Sequence, residues 1–212
     1  MNSTDHRPGI SAAQYTMLQL GHIVLPTPDD LYDYYVSVFR DKGIDFPAQD
    51  VDRLHQLIPD KPELFSVIPP QPRPLDLDGL MALIKLNGKT GENFLNPKKL
   101  IDIVATPPST HLLLNVIDGH ERLNSRASVS FRTITQDKRL AFTVWYGLIH
   151  AIVFPCVLNH HNLDLVGSCY GTRGNPRLSL YHTTTTPSLD FCYDDVPSPF
   201  RGAPSAGGMI IP

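Results

Sequence analysis

The sequence predicts an α+β fold: helices in the N-terminal half, packed with a C-terminal, mostly antiparallel sheet of four or five strands. Three observations carry this. Apolar residues recur at helical spacing as far as Ile84, whereas after Leu163 short β-branched and aromatic runs alternate with turn residues. Of the twenty prolines, six lie between Pro59 and Pro74 and five from Pro187 onward, with only Pro155 between Ser109 and Asn175. That proline-poor middle is where a regular core can form.

At 212 residues the chain slightly exceeds the usual span of about 100–200 residues for one domain. A single domain over 1–212 is expected, with a mainly helical part at 1–105 and an α+β core with a terminal meander at 110–212. Hydrophobic residues make up 42% and charged residues 18%, a globular composition. The formal charge is −3, from 18 Lys plus Arg against 21 Asp plus Glu. No window clusters basic side chains as a phosphate backbone demands, so nucleic acid is not an expected partner. The longest apolar stretch, Leu140 to Phe154, is shorter than the roughly 18–20 residues that span a bilayer, and no membrane partner is expected. The N-terminus, MNSTDHRPGIS, lacks a basic region followed by an apolar one. Three cysteines at irregular spacing give no disulfide framework, which fits a reducing cytoplasm.

In chain order, Ser11 with Gln14 forms a capping box and Gly21 a C-terminal cap, predicting a helix over 11–20. Thr27 then caps a second helix, with Pro28 at its first position, Asp29 and Asp30 in the first turn, Leu31, Tyr34, Tyr35 and Val38 on one face, and Gly43 after its end. A shorter helix is predicted from Asp50 to Leu57. The run Phe65–Ile68 leads into Pro69-Pro70-Gln71-Pro72-Arg73-Pro74, a stiff connection in preference to a PxxP ligand. Asp76 caps a helix carrying Leu77, Leu80, Met81, Leu83 and Ile84, expected to end near Asn87-Gly88. Asn96-Pro97 opens another, expected through Val104.

His111 to Ile117 reads as a buried strand entering a turn at Asp118-Gly119 and is expected to pair with the later meander. The alternation of Ala127, Val129 and Phe131 with Ser128, Ser130 and Arg132 predicts a strand. From Asp137 to Phe154 two adjacent apolar stripes, Leu140/Val144/Leu148/Ile152 and Ala141/Trp145/Ile149/Val153, predict the main core helix, stopped by Pro155, with Trp145 against the sheet. Strands at 163–167, 177–181 and 189–193 then form an antiparallel meander. The tail from Arg201 to Pro212 is glycine-rich, yet its apolar triplet Met209-Ile210-Ile211 predicts that its first part packs over the meander.

From about Leu112 to Gly208 the chain resembles an uncharacterised bacterial domain family, frequent in actinobacteria. The resemblance is carried by Asp118, Gly119, Leu123, Asn124, Gly167, Ser168, Gly171, Arg173, Pro176, Cys192, Gly202, Ser205 and Gly207. Tryptophans flank the position of Cys192 in that family, where this chain has Phe191 and Tyr193. The family has no assigned activity, so the resemblance implies the domain and no chemistry.

Candidate chemistry is sparse. Gly88-Lys89-Thr90 matches the end of a Walker A loop, but Leu83 stands where its first glycine is required, and no cofactor is expected. Cys156, His160, His161, Cys169, His182 and Cys192 are soft ligands without a CxxC or HxxxH pair, and no metal is expected. Ser168 or Cys169, beside His160 or His161, has the residue types of a nucleophile and base but not the GxSxG spacing. Arg173 can offer its fork to an anion or pair internally with Asp164, Asp190 or Asp194. The leading expectation is a non-enzymatic cytoplasmic binding or interaction domain with a protein or small-molecule partner. The alternative is a hydrolase or transferase using the Ser168–Arg173 loop with His160 or His161.

Overall fold

The computed structural model describes residues 27–58, 65–104, 108–117, 119, 122–171, 174–180, 185–193 and 197–210. It is an α+β fold with mixed sheets. The expected helix over 11–20, and the positions of Asp118, Arg173 and His182, lie outside the described residues.

Helix α1 (Pro28–Lys42) begins as the sequence dictates. Thr27 accepts from the Asp30 amide, Asp30 reciprocates, and Gly43 ends the helix in the left-handed region at φ 68°. Its fully buried stripe is Leu31, Tyr32, Tyr35 and Phe39, one position round from the predicted face, with Tyr34 and Val38 half-buried. Gly43 turns the chain back so that Ile44 N–H bonds to Phe39 O at 2.8 Å, and α2 (Ala48–His55) follows. Strand β1 (Phe65–Ile68) is buried throughout.

Helix α3 (Leu77–Leu83) stops earlier than expected, because the next residues form a hairpin of β2 (Lys85–Leu86) and β3 (Lys89–Thr90). Asn87 at φ 51° and Gly88 at φ 73° are the positive-φ pair that a two-residue hairpin turn requires. After β4 (Glu92–Asn93), the expected helix to Val104 is one 3-10 turn, Pro97–Lys99, followed by β5 (Leu100–Asp102). Asn96 and Pro97 did mark a helical start, but β5 finds its backbone partners on another strand instead of in a continuing helix.

Strand β6 (Leu112–Ile117) forms where predicted. The predicted strand at 127–132 is instead helix α4 (Ala127–Gln136). Six residues are too few to separate the two periods: Ala127, Ser130 and Ile134 are buried at helical spacing, while Val129 is 45% exposed. The helix expected from Asp137 is shorter, because Lys138 at φ 54° breaks the chain. Strand β7 (Leu140–Ala141) intervenes before Thr143 caps α5 (Val144–Val153). Every residue of α5 is buried, so the two stripes are parts of one helix wrapped on all sides. Pro155 then opens a 3-10 turn to Asn159.

The meander forms: β8 (Asn162–Asp164), β10 (Gly174–Leu180) and β11 (Pro187–Tyr193) pair antiparallel in that spatial order, with β9 (Ser168–Tyr170) beside the start of β10. Two further strands, β12 (Arg201–Gly202) and β13 (Ser205–Ile210), come from the tail. In place of one sheet of four or five strands there are a seven-stranded sheet, β12-β8-β10-β11-β4 with β9 and β5 attached, and a four-stranded sheet, β1-β6-β13-β7. The N-terminal part therefore supplies strands to both. The partner expected for β6 is corrected too: it pairs with β1 and β13, not with the meander. Only β12 of the tail joins the meander, beside β8. Helix α5 contacts both sheets, and one apolar cluster runs from Leu31 to Ala206.

Trp145 is 3% exposed, and its indole N–H donates to Pro69 O at 2.9 Å, so the proline-rich connection is fastened over α5. Trp145→Ala removes a large buried ring as well as this bond, and is expected to lower stability by about 3–5 kcal/mol. A loss under about 1 kcal/mol in urea unfolding would contradict that packing.

Candidate functional site

The residues singled out for nucleophilic chemistry are separated by the sheet register. Ser168 is wholly buried; its hydroxyl donates to Asp102 Oδ1 at 2.5 Å and accepts the Val144 N–H at 3.0 Å. It thus ties β9 to β5 and holds the start of α5, an arrangement set by Gly167, whose missing Cβ lets the turn press onto the Ala141 and Phe142 carbonyls. His160 and His161 precede β8, whose Leu163 lies opposite Leu178 towards the end of β10, whereas Tyr170 lies opposite Gly174 at its start. His160 is exposed, and His161 is buried against Gly202. Burial pushes the Cys169 thiol above its ordinary pKa, and pushes Cys156 up to about 11. Neither has the depressed pKa of an activated thiol.

On the face of the seven-stranded sheet opposite Leu178 and Leu189, charges line up across strands. Arg177 makes a two-pronged pair with Asp190, Nε–Oδ1 3.1 Å and Nη2–Oδ2 2.9 Å, directly opposite in register. Asp164 flanks Arg177 from β8, and Arg201 Nε lies 3.8 Å from its Oδ2. Burial lowers the Arg177 pKa, but the bond and charge of Asp190 outweigh it, and the net shift is upward. Cys192 donates to Asp164 Oδ1 at 3.9 Å, and its pKa rises to about 11 through burial and then through Asp164. Each described arginine here faces a carboxylate, so the row reads as an internal clamp. Cys169 and Cys192 sit on strands separated by β10, roughly 9–10 Å at the usual strand spacing, beyond disulfide reach. Among the described residues no three potential metal ligands gather.

A different place has the form of a site. Between α1 and α2 lies a cleft of about 520 Å³. Helix α1 contributes Val36 and Arg40 to one wall, α2 contributes Ala48, Val51 and Asp52 to the other, and Gly43 to Phe46 form the floor. The walls are held at fixed separation, since the Tyr32 hydroxyl donates to Val51 O at 2.7 Å. The floor is held as firmly. Buried His111 faces Asp50 Oδ2 with Nδ1 and Asp45 O with Nε2, both at 2.9 Å, and Phe46 stacks on its ring with centroids 4.7 Å apart. Arg53 bonds both Asp50 and His111 O. Thus His111, immediately before β6 of the four-stranded sheet, anchors both ends of the 45–50 segment.

The lining is apolar at Val36, Ile44, Phe46 and Val51 and charged at Arg40, Asp45 and Asp52, three side chains that enter no ion pair among the described residues. Opposite charges are therefore held apart across an apolar floor. The sequence carries a faint sign of this for Arg40, which has Val36 and Ser37 behind it and so no acidic neighbour one turn back along its helix. Asp52 has His55 one turn ahead, but the structure pairs that imidazole with Asp29 at 3.1 Å. No described helix is long and apolar enough to cross a membrane. Comparison with family models, with curated proteins and with solved structures finds no match to this chain.

Proposed function

We propose that this protein is a non-enzymatic binding domain of the bacterial cytoplasm, and that it takes a small molecule in the cleft between α1 and α2. The observation that carries this reading is that Arg40, Asp45 and Asp52, which enter no ion pair among the described residues, line one anchored, apolar-floored cleft. Its volume falls in the range of about 300–1,000 Å³ typical of small-ligand sites, which combine apolar walls with a few placed polar groups. Among the described residues no serine, cysteine or histidine lines it, so these residues offer binding groups without a nucleophile. The hydrolase or transferase reading has less support, because the Ser168 hydroxyl is already engaged by Asp102 and Val144. Three free thiols support a reducing compartment, and the resemblance over 112–208 supports a bacterial source.

Amide chemical-shift mapping of the full chain against a library of small organic fragments tests the site. Binding fragments are expected to shift residues 36–52 together. Shifts concentrated at residues 160–171 would favour the enzyme reading and overturn this one.

A further inference from the structure

We infer, resting on the cleft reading above, that the ligand is a zwitterion with an apolar body: an α-amino acid with a large apolar side chain, free or at the two ends of a dipeptide. Arg40 stands on the α1 wall, and Asp45 and Asp52 belong to the floor and the α2 wall, yet no ion pair closes between them. The Tyr32 bond to Val51 and the anchoring of Asp45 by His111 keep the walls from collapsing to make one.

A ligand with a single charge satisfies one wall and leaves the other facing it with like charge. A ligand carrying a carboxylate and an ammonium satisfies both: the guanidinium fork matches a carboxylate in two-pronged geometry, and the aspartates accept from the ammonium. Between the two charges, Val36, Ile44, Phe46 and Val51 offer apolar surface to a side chain, whose removal from water adds affinity. Neither charge alone selects such a ligand; the selection lies in both together with the floor.

The test is a set of amide-shift titrations of the full chain with leucine, phenylalanine and leucyl-leucine. Glycine serves as a zwitterion without a body, N-acetyl-phenylalanine as the anion alone and phenethylamine as the cation alone. Phenylalanine is expected to bind about tenfold or more tightly than either singly charged analogue or glycine. Whichever of phenylalanine and leucyl-leucine binds tighter identifies the free or the dipeptide form. Arg40→Gln is expected to remove the advantage of phenylalanine over phenethylamine. The double variant Asp45→Asn, Asp52→Asn is expected to remove its advantage over N-acetyl-phenylalanine. All three residues are exposed, so these variants keep the fold. If the singly charged probes shift residues 36–52 as strongly as the zwitterions, the inference falls while the cleft reading stands. If no probe of any class shifts those residues, the cleft reading falls and takes the inference with it.

Discussion

Truncation after Phe200 is expected to leave a chain without a cooperative unfolding transition. The removed segment is no appendage: β13 runs between β6 and β7 inside the four-stranded sheet, with Ser205 opposite Ile117 and Ile210 opposite Leu113. Its loss strips one edge of β6 of its backbone partners and leaves β7 without its strand neighbour, and buried unpaired backbone groups are costly. Further ties go with it. Phe142 N–H bonds to Pro204 O at 3.2 Å, and Arg139 bonds Ser205 at both Oγ and O. Gly202 and Gly119 press so closely that a Cβ on Gly202 would lie 2.4 Å from Gly119 O. Since a domain's whole stability is only about 5–15 kcal/mol, losing a central strand exceeds what the remainder can absorb. A sharp melting transition for residues 1–200, within a few degrees of the full chain, would refute the placement of β13.

Much of this fold could be read where local chemistry and tertiary packing agree. Thr27 and Pro28, the apolar run of β6 and the stop at Pro155 each carry a local signal that the structure uses, and the three meander strands form near their expected places with shifted bounds, the first reduced to Asn162–Asp164. The misreadings share a physical cause: they fall where a local signal is real but serves another partner. Asn87-Gly88 is a hairpin turn instead of a helix end, because Lys85–Leu86 and Lys89–Thr90 pair with each other. The glycines of the tail suit close approach, but Gly202 approaches Gly119 and Gly207 the Arg139 guanidinium, and the strand that follows Gly202 enters a sheet whose other members lie far away in sequence. No periodicity within the tail could identify β6 as its neighbour.

The candidate site divides in the same way. Arg173 was prominent because it sits among glycines, yet the arginines that the described sheet places in register are Arg177 with Asp190 and Asp164. Their pairing follows from strand alignment, which spacing alone does not specify. The cleft depends on the angle between α1 and α2, fixed by contacts as distant as His111 to Asp45. Arg40 and Asp52 look like ordinary solvated charges until that geometry faces them across one floor.

Acid is expected to unfold the protein earlier than its carboxylates alone would dictate, because of His150. The side chain is fully buried in α5, with the rings of Phe142 and Phe154 beside it at centroid distances of 6.0 and 5.4 Å. Burial, and then the nearby His161, lower its pKa from 6.5 to about 3. The unfolded chain takes up a proton near pH 6.5 that the folded chain refuses until about pH 3. Stability is therefore fully present above 6.5 and falls as the pH drops towards 3, at roughly 1.4 kcal/mol per unit, on the order of 5 kcal/mol across the window. That is comparable with the whole stability of many domains. Replacing the imidazole by a group that does not titrate, His150→Gln, costs packing at neutral pH but removes this one proton from the balance. Urea midpoints measured from pH 7 to pH 4 should then fall less steeply for His150→Gln than for the parent, by about one proton's worth of slope. Parallel slopes for the two proteins would mean that the imidazole takes up its proton equally in the folded and unfolded chains.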